Sequence, residues 1–277
     1  MTRLGYYSRP KFLIIGTQKG GTVALRKYLA RHQNIVPARK KEIGYFDQDI
    51  LYRRGDRWYH GHFPLPHRLG RHGVTFEATP EYLYYPKAAQ RIFSYDPDLK
   101  LIVLLREPIE RAFSAWNMFR TLRYEHPDYL RAILPECDQI LREAISQMLS
   151  SDSFPEFDKA VRDEVDGLLS ESSALEPSYV RRGLYHEQLL RYLKCFAREQ
   201  ILILDSGRLK RDLGNVLPEV VQFLGLPEYT AYPVDQPLFH VGQYEQQIAD
   251  KTRAFLREFY RPHNEKLCEL LGRDFGW

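Results

Sequence analysis

The sequence predicts an α/β protein: a mainly parallel, doubly wound sheet flanked by helices in a single domain. Three observations carry that expectation. Short apolar runs alternate with amphipathic stretches of helical length, the first run ends in a glycine-rich turn, and the clearest run is followed by a proline suited to a helix's first turn. With 277 residues, 44% apolar and 27% charged, the chain can bury one sizeable core.

Lys11-Phe12-Leu13-Ile14-Ile15-Gly16 reads as a buried strand, and apolar positions at Val23, Ala24, Leu25, Tyr28 and Leu29 make Gly20 to His32 a helix. A second strand is expected at Val74-Thr75-Phe76-Glu77-Ala78, ended by Thr79-Pro80, with a helix over about Lys87 to Tyr95. Leu101-Ile102-Val103-Leu104-Leu105 is continuously apolar, as a parallel strand covered on both faces should be, and Pro108 opens a helix through Phe119. A further strand, Gln200 to Leu204, lies between helices, and a last helix runs from about Ile248 to Leu271. The stretch from about Glu125 to Pro177 breaks the alternation. It is acidic and only loosely helical, with a polar break at Ser150 to Ser153, and reads as an insertion or lid within a domain spanning residues 1–277.

The formal net charge is +4, unevenly placed: residues 1–60 carry 13 Lys/Arg against 4 Asp/Glu, while residues 121–178 carry 5 against 13. A basic first segment suits an anionic ligand. Basic residues are not interleaved with stacking aromatics on a recognisable module, so nucleic acid is not an expected partner. Cys137, Cys195 and Cys268 lie far apart and match no disulfide framework or zinc spacing, which fits a reducing compartment and no metal. The apolar run Phe12 to Ile15 is too short for a signal sequence or a membrane span, so a cytoplasmic protein without a membrane partner is expected.

A strand that ends in a glycine turn and opens a helix offers backbone N–H groups and a positive dipole end to an anion. Here the turn is Gly16-Thr17-Gln18-Lys19-Gly20-Gly21-Thr22, which makes the fold P-loop-like. It departs from the ATP-binding pattern, because Lys19 precedes the glycines instead of following them. The strand at 101–105 ends in Arg106, not in a magnesium-binding aspartate, and Ser114 two helical turns on can add a hydroxyl to the same phosphate. Two anion sites at neighbouring strand ends imply a ligand with two separate anionic groups. A nucleotide with a 5′-phosphosulfate and a 3′-phosphate meets that requirement without magnesium. An ATP-dependent kinase with an unusual phosphate loop and a non-catalytic nucleotide-binding module are the alternative readings, and a plain ion pair to Glu110 is the alternative for Arg106.

In order and spacing, these segments resemble the PAPS-dependent sulfotransferase family, in the branch of the heparan sulfate 3-O- and N-sulfotransferases and their bacterial relatives. The resemblance rests on Ile14-Ile15-Gly16 with Lys19-Gly20-Gly21-Thr22, on Lys41-Glu42-Ile43-Gly44-Tyr45-Phe46-Asp47, on Glu77-Ala78-Thr79-Pro80, and on Leu104-Leu105-Arg106-Glu107-Pro108 continuing to Glu110, Arg111 and Ser114. Weaker echoes are Gly183-Leu184-Tyr185 and Phe259-Tyr260 to Asn264. It implies 3′-phosphoadenylyl sulfate (PAPS) as sulfuryl donor, adenosine 3′,5′-bisphosphate as product, and no metal. Donor binding would fall to Lys19, Gly20, Gly21 and Thr22 at the 5′ end and to Arg106 and Ser114 at the 3′-phosphate, and Tyr244 is read as a cover for the adenine, with a packed loop tyrosine as the alternative. The acceptor cleft would use residues 41–47 and 78–81, among them Glu42, Gly44, Ala78, Thr79 and Glu81. Glu42 would be the general base, and Lys19 would stabilise charge on the departing bridging oxygen.

The chain departs from that pattern at Gly44, where the 3-O-sulfotransferases have histidine, and at Ala78, where glycan enzymes have lysine. His240-Val241-Gly242-Gln243-Tyr244 also replaces their basic donor-covering loop and its disulfide. The expected acceptor is a hydroxyl, less so an amine, of a small metabolite or glycan, and Ala78, Glu81 and the acidic 121–178 stretch point to a neutral or cationic one. Trp58, Tyr59, Tyr82, Tyr84 and Tyr85 read as packing residues, and His186 as structural.

Overall fold

The computed structural model describes residues 7–171, 176–228, 244 and 246–277. β1 (Pro10–Gly16) buries every residue but Lys11, as its unbroken apolar run requires. The glycine turn leads into α1 (Thr22–Leu29), then β2 (Ile35–Pro37), α2 (Asp49–Tyr52), α3 (Gly55–His60), β3 (Val74–Ala78), α4 (Glu81–Tyr84), α5 (Ala88–Tyr95) and β4 (Lys100–Leu105). Next come α6 (Pro108–Glu125), α7 (Pro127–Ile133), α8 (Gln139–Ser150), α9 (Phe157–Leu169), α10 (Tyr185–Leu193), β5 (Ile201–Asp205), α11 (Ser206–Arg211), α12 (Leu213–Leu224) and α13 (Asp250–Leu271).

The sheet has five strands in the order β2-β3-β1-β4-β5, and every pair is parallel. The chain crosses over β1 on its way from β3 to β4, so strand order switches beside β1. In such sheets ligands gather outside the carboxyl ends at the switch point, and the loops leaving β1, β2, β3 and β4 all emerge on that edge. β2 is an addition to the expected strands. Three residues are too few to show a period.

By their contacts the described residues gather into two compact units, one drawn from Met1–Arg106 and Gln188–Val241, the other from Glu107–Glu187 and Gly242–Trp277. The first contains the sheet. Phe12, Ile14, Phe76, Ala78, Ile102 and Leu104 pack against Leu25, Tyr28 and Leu29 of α1 and Val216, Leu217 and Val220 of α12. Phe12 and Phe76 stack at 4.6 Å, and each side chain of this size contributes about 1.5–3 kcal/mol on full burial.

The second unit has its own core, with Ile109, Phe113 and Trp116 of α6, Phe157, Val161 and Val165 of α9, and Leu256 and Tyr260 of α13. Glu107 caps α6, accepting from the N–H groups of Ile109 (3.2 Å) and Glu110 (2.7 Å), with Pro108 in the first turn. The helix continues past Phe119 to Glu125. The stretch after it is more regular than expected: α7, α8 and α9 fill it, and the polar break falls between α8 and α9. Asp138 caps α8 by accepting from Leu141 N–H at 3.1 Å. Glu164 of α9 accepts from Ser178 Oγ (2.9 Å) and from the N–H groups of Tyr179 (2.7 Å), Val180 (2.8 Å) and Arg181 (2.8 Å). The two weaker sequence echoes meet here, since Tyr260 Oη donates to Val180 O at 2.8 Å and packs against Gly183, where a Cβ would come within 2.7 Å of that hydroxyl. Among the described residues no helix is long and apolar enough to cross a membrane, and no group of three His, Cys, Asp or Glu could hold a metal ion.

Candidate active site

The turn after β1 is held by the end of β4. Thr17 N–H donates to Leu104 O (2.9 Å), Gly20 N–H to Thr17 O (2.9 Å), and Arg106 Nη1 to Lys19 O (3.1 Å). A Cβ at Gly20 would lie 2.6 Å from Leu104 O and 2.9 Å from Thr17 O, so only glycine fits there. Gly21, at φ 100, is the N-cap of α1 and makes no side-chain capping bond. The first N–H groups of α1 lack partners within the helix and carry its positive dipole end, which makes the turn a backbone cradle for an anion. Arg106, half-buried, supports the cradle from below.

Lys19 has φ 66 and Glu42 φ 54, and the described residues hold only one other non-glycine in this region, Glu171. A left-handed backbone costs an L-residue about 1–2 kcal/mol, and such strain clusters at functional sites. Both residues that the resemblance assigns catalytic roles bear it, as does Glu171. Glu42 is exposed and pairs with Lys41 at 2.9 Å. Gly44 follows at φ 75, and a Cβ there would lie 3.0 Å from Gln48 Nε2. This turn excludes a side chain where the enzymes it resembles carry histidine.

Beneath the turn lies an aromatic floor. Tyr45 stacks on Tyr59 at 4.5 Å, Phe46 meets Tyr59 and Tyr82 edge-on at 5.1 and 5.3 Å, and Tyr45 N–H donates to Tyr82 Oη at 3.0 Å. Arg91 Nη1 donates to Phe46 O at 3.1 Å. The hydrogen bonds of Lys87 and then of Arg91 pull the Asp49 carboxyl down to about 2. Arg39, Lys40 and Lys41 are exposed next to Glu42. Burial and then Lys40, Arg39 and Arg54 hold the His62 imidazole below its ordinary value, so this face is cationic.

Glu81 accepts from Gln18 Nε2 at 3.1 Å, tying α4 to the glycine turn. Thr79 is buried and its hydroxyl donates to Glu77 at 2.7 Å. Ala78 is buried in the core with Ile14, Phe76 and Ile102. Tyr59, Tyr82, Tyr84 and Tyr85 are buried, as the packing reading had them. In the second unit Ser114 Oγ and Tyr244 Oη share a 2.6 Å hydrogen bond, with Phe113 edge-on to Tyr244 at 5.5 Å. Glu110 pairs with Arg253 at 2.8 Å. His240 to Gln243 lie outside the described residues. Sequence reasoning missed the framework under Glu42. Its one visible signal was Glu77, a carboxylate in an otherwise apolar strand.

The chain matches the model of the sulfotransferase domain family over residues 9–236. It is 30% identical to heparan sulfate glucosamine 3-O-sulfotransferase 3B1 of Mus musculus, with 97% of this chain and 65% of that protein covered. It is 27% identical to the membrane-associated sulfotransferase kil1 of Dictyostelium discoideum, with 97% and 66% covered. The chain thus spans just under two thirds of the length of these relatives. Among solved structures it is similar to a sulfotransferase from Alicyclobacillus acidocaldarius, with a TM-score of 0.65, 26% identity and coverage of 97% and 98%. A glycine turn anchored by Arg106 on a five-stranded parallel sheet, matched by one family model across most of its length, means that this chain belongs to the sulfotransferase domain family, whose sulfuryl donor is PAPS.

Proposed function

We propose that this protein transfers a sulfuryl group from PAPS to a hydroxyl, less readily an amine, of an acidic glycan. The observation that carries the catalytic half is the pair of left-handed residues, Lys19 and Glu42, on loops leaving one edge of the sheet. The glycine turn fits a phosphosulfate, since a glycine at position 20 lets the turn close against Leu104 O and present the N-terminus of α1.

When bound, PAPS supplies an electrophilic sulfur and an anionic leaving group. The N–H groups of Gly21 and Thr22 would hold its 5′ end, while the Gly20 N–H, spent on Thr17 O, keeps the turn closed. The Lys19 ammonium offsets negative charge developing on the bridging oxygen, which preorganised donors do without reorganisation cost at the moment of reaction. Arg106 takes the 3′-phosphate while supporting the Lys19 carbonyl, so one side chain serves both ends of the donor. Ser114 and Tyr244 are further donor contacts by the resemblance of their segments alone. Glu42 removes the proton of the attacking group, a role worth roughly 10²- to 10⁴-fold in rate. Gly44, Thr79 and Glu81 border the acceptor.

The exposed Arg39-Lys40-Lys41 run beside Glu42 supports an anionic acceptor, against the neutral or cationic one expected from Ala78, Glu81 and the acidic 121–178 stretch. The relatives named for heparan sulfate support a glycan. A cytoplasmic location is part of the same proposal, supported by three free cysteines.

The test follows transfer of labelled sulfuryl from PAPS to heparan sulfate oligosaccharides and to neutral oligosaccharides of equal length, with bisphosphate binding measured by calorimetry. Glu42→Gln is expected to lower turnover by roughly 10²- to 10⁴-fold with bisphosphate affinity unchanged. Full turnover in that variant would remove Glu42 as base. Preference for the neutral oligosaccharide would overturn the acidic acceptor.

A further inference from the structure

Glu77 sits in the middle of β3 with no exposed surface. It receives Tyr59 Oη at 2.6 Å and Tyr82 Oη at 2.8 Å on one oxygen and Thr79 Oγ at 2.7 Å on the other. Those donors come from α3, from α4 and from the residue just after β3. An ionised carboxylate is acceptor-only with about four lone-pair sites, which matches this set of donors. An amide or hydroxyl would present a donor where the surroundings offer only more donors. Burial raises the Glu77 carboxyl above its ordinary value, against the pull of its hydrogen bonds.

The purpose of so many ties lies next door. Ile43 follows Glu42 directly, and its N–H helps pull the Glu77 carboxyl down against burial. Two residues on, Tyr45 N–H ends on Tyr82 Oη, which itself donates to Glu77. The backbone after Gly44 is therefore moored through Tyr82 to one buried carboxylate, while Glu42 keeps an unfavourable left-handed conformation. An exposed turn of that shape does not hold itself.

We propose that Glu77 is the positioning residue of the general base: through Tyr82, whose hydroxyl receives the Tyr45 N–H, it holds the loop that presents Glu42 to the acceptor. This rests on Glu42 being the base. Glu77→Gln keeps volume and burial while replacing an acceptor with a donor. Amide hydrogen exchange at Ile43 and Tyr45 is expected to speed at least tenfold. Turnover with PAPS and heparan sulfate oligosaccharide is expected to fall at least tenfold, with the KM for PAPS and the affinity for adenosine 3′,5′-bisphosphate within twofold of the parent. Added to Glu42→Gln, it should lower turnover no further.

Unchanged exchange with full turnover overturns the proposal, and so does an equal second loss in the Glu42→Gln background or a collapse of bisphosphate affinity. Full turnover in Glu42→Gln alone sinks the base reading first, a result distinct from failure of Glu77→Gln alone. If Glu77→Gln does not fold, Tyr82→Phe removes the Tyr45 tie and leaves the ring in place. Faster exchange at Tyr45 with the same kcat-against-KM split then supports the proposal, and no change in either overturns it.

Discussion

Lys19 and Glu42 share a left-handed backbone, yet the loops carrying them are held by different means. Around Lys19 the ties are mostly backbone: Thr17 to Leu104, Gly20 to Thr17, and one arginine onto the Lys19 carbonyl. Around Glu42 they are remote side chains, Glu77, Tyr82 and Arg91, acting on the N–H groups of Ile43 and Tyr45 and the carbonyl of Phe46. The donor loop takes its shape from its own glycines and the adjacent strand. The base loop takes its shape from what lies under it. The first should fail when backbone room is lost, and the second when a distant side chain is lost.

Gly20→Ala is expected to give the largest effect. Its methyl would meet Leu104 O, costing about 1–3 kcal/mol in stability and at least tenfold in bisphosphate affinity, read by denaturant unfolding and calorimetry. Normal affinity would break the contrast between the loops. Gly44→Ala should cost about 1–2 kcal/mol from its positive φ and lower turnover while leaving bisphosphate affinity intact, which places the damage on the base loop alone. Tyr244→Phe, in the second unit, removes the partner of Ser114 and should cost about 0.5–1.5 kcal/mol, with turnover showing whether that hydroxyl matters to the donor.

The pH dependence sharpens the comparison further. The Asp49 carboxyl, lowered from 3.8 to about 2, contributes stability that is present above its unfolded value and lost as pH falls through about 2. Because Asp49 is 38% exposed, screening keeps this below about 1 kcal/mol. Asp49→Asn should flatten unfolding free energy against pH between those values. Glu77 has the opposite sign: its raised carboxyl contributes stability fully present below 4.5 and lost as pH rises through the folded value. Glu77→Gln should remove that slope, so a variant still sloping there would show that another group titrates.

Much of the fold was legible because its signals are local. Four of the five strands, the glycine turn and the helix after Pro108 follow from apolar runs, glycines and a proline within a few residues of one another. β2 was not, since Ile35–Pro37 has no pattern of its own and becomes a strand only because β3 offers it an edge. The regular helices of 125–177 were hidden by their acidity, for only a thin stripe such as Phe157, Val161 and Val165 faces inward.

The sequence by itself pointed to the parallel α/β architecture and to an anion cradle with Lys19 and Arg106, which rest on chemistry and spacing along the chain, while only the resemblance singled out Glu42. The tertiary structure alone decided how Glu42 is held. Tyr59, Tyr82 and Thr79 converge on Glu77 only after α3 and α4 have packed beside β3, and a buried carboxylate gains its meaning from what surrounds it.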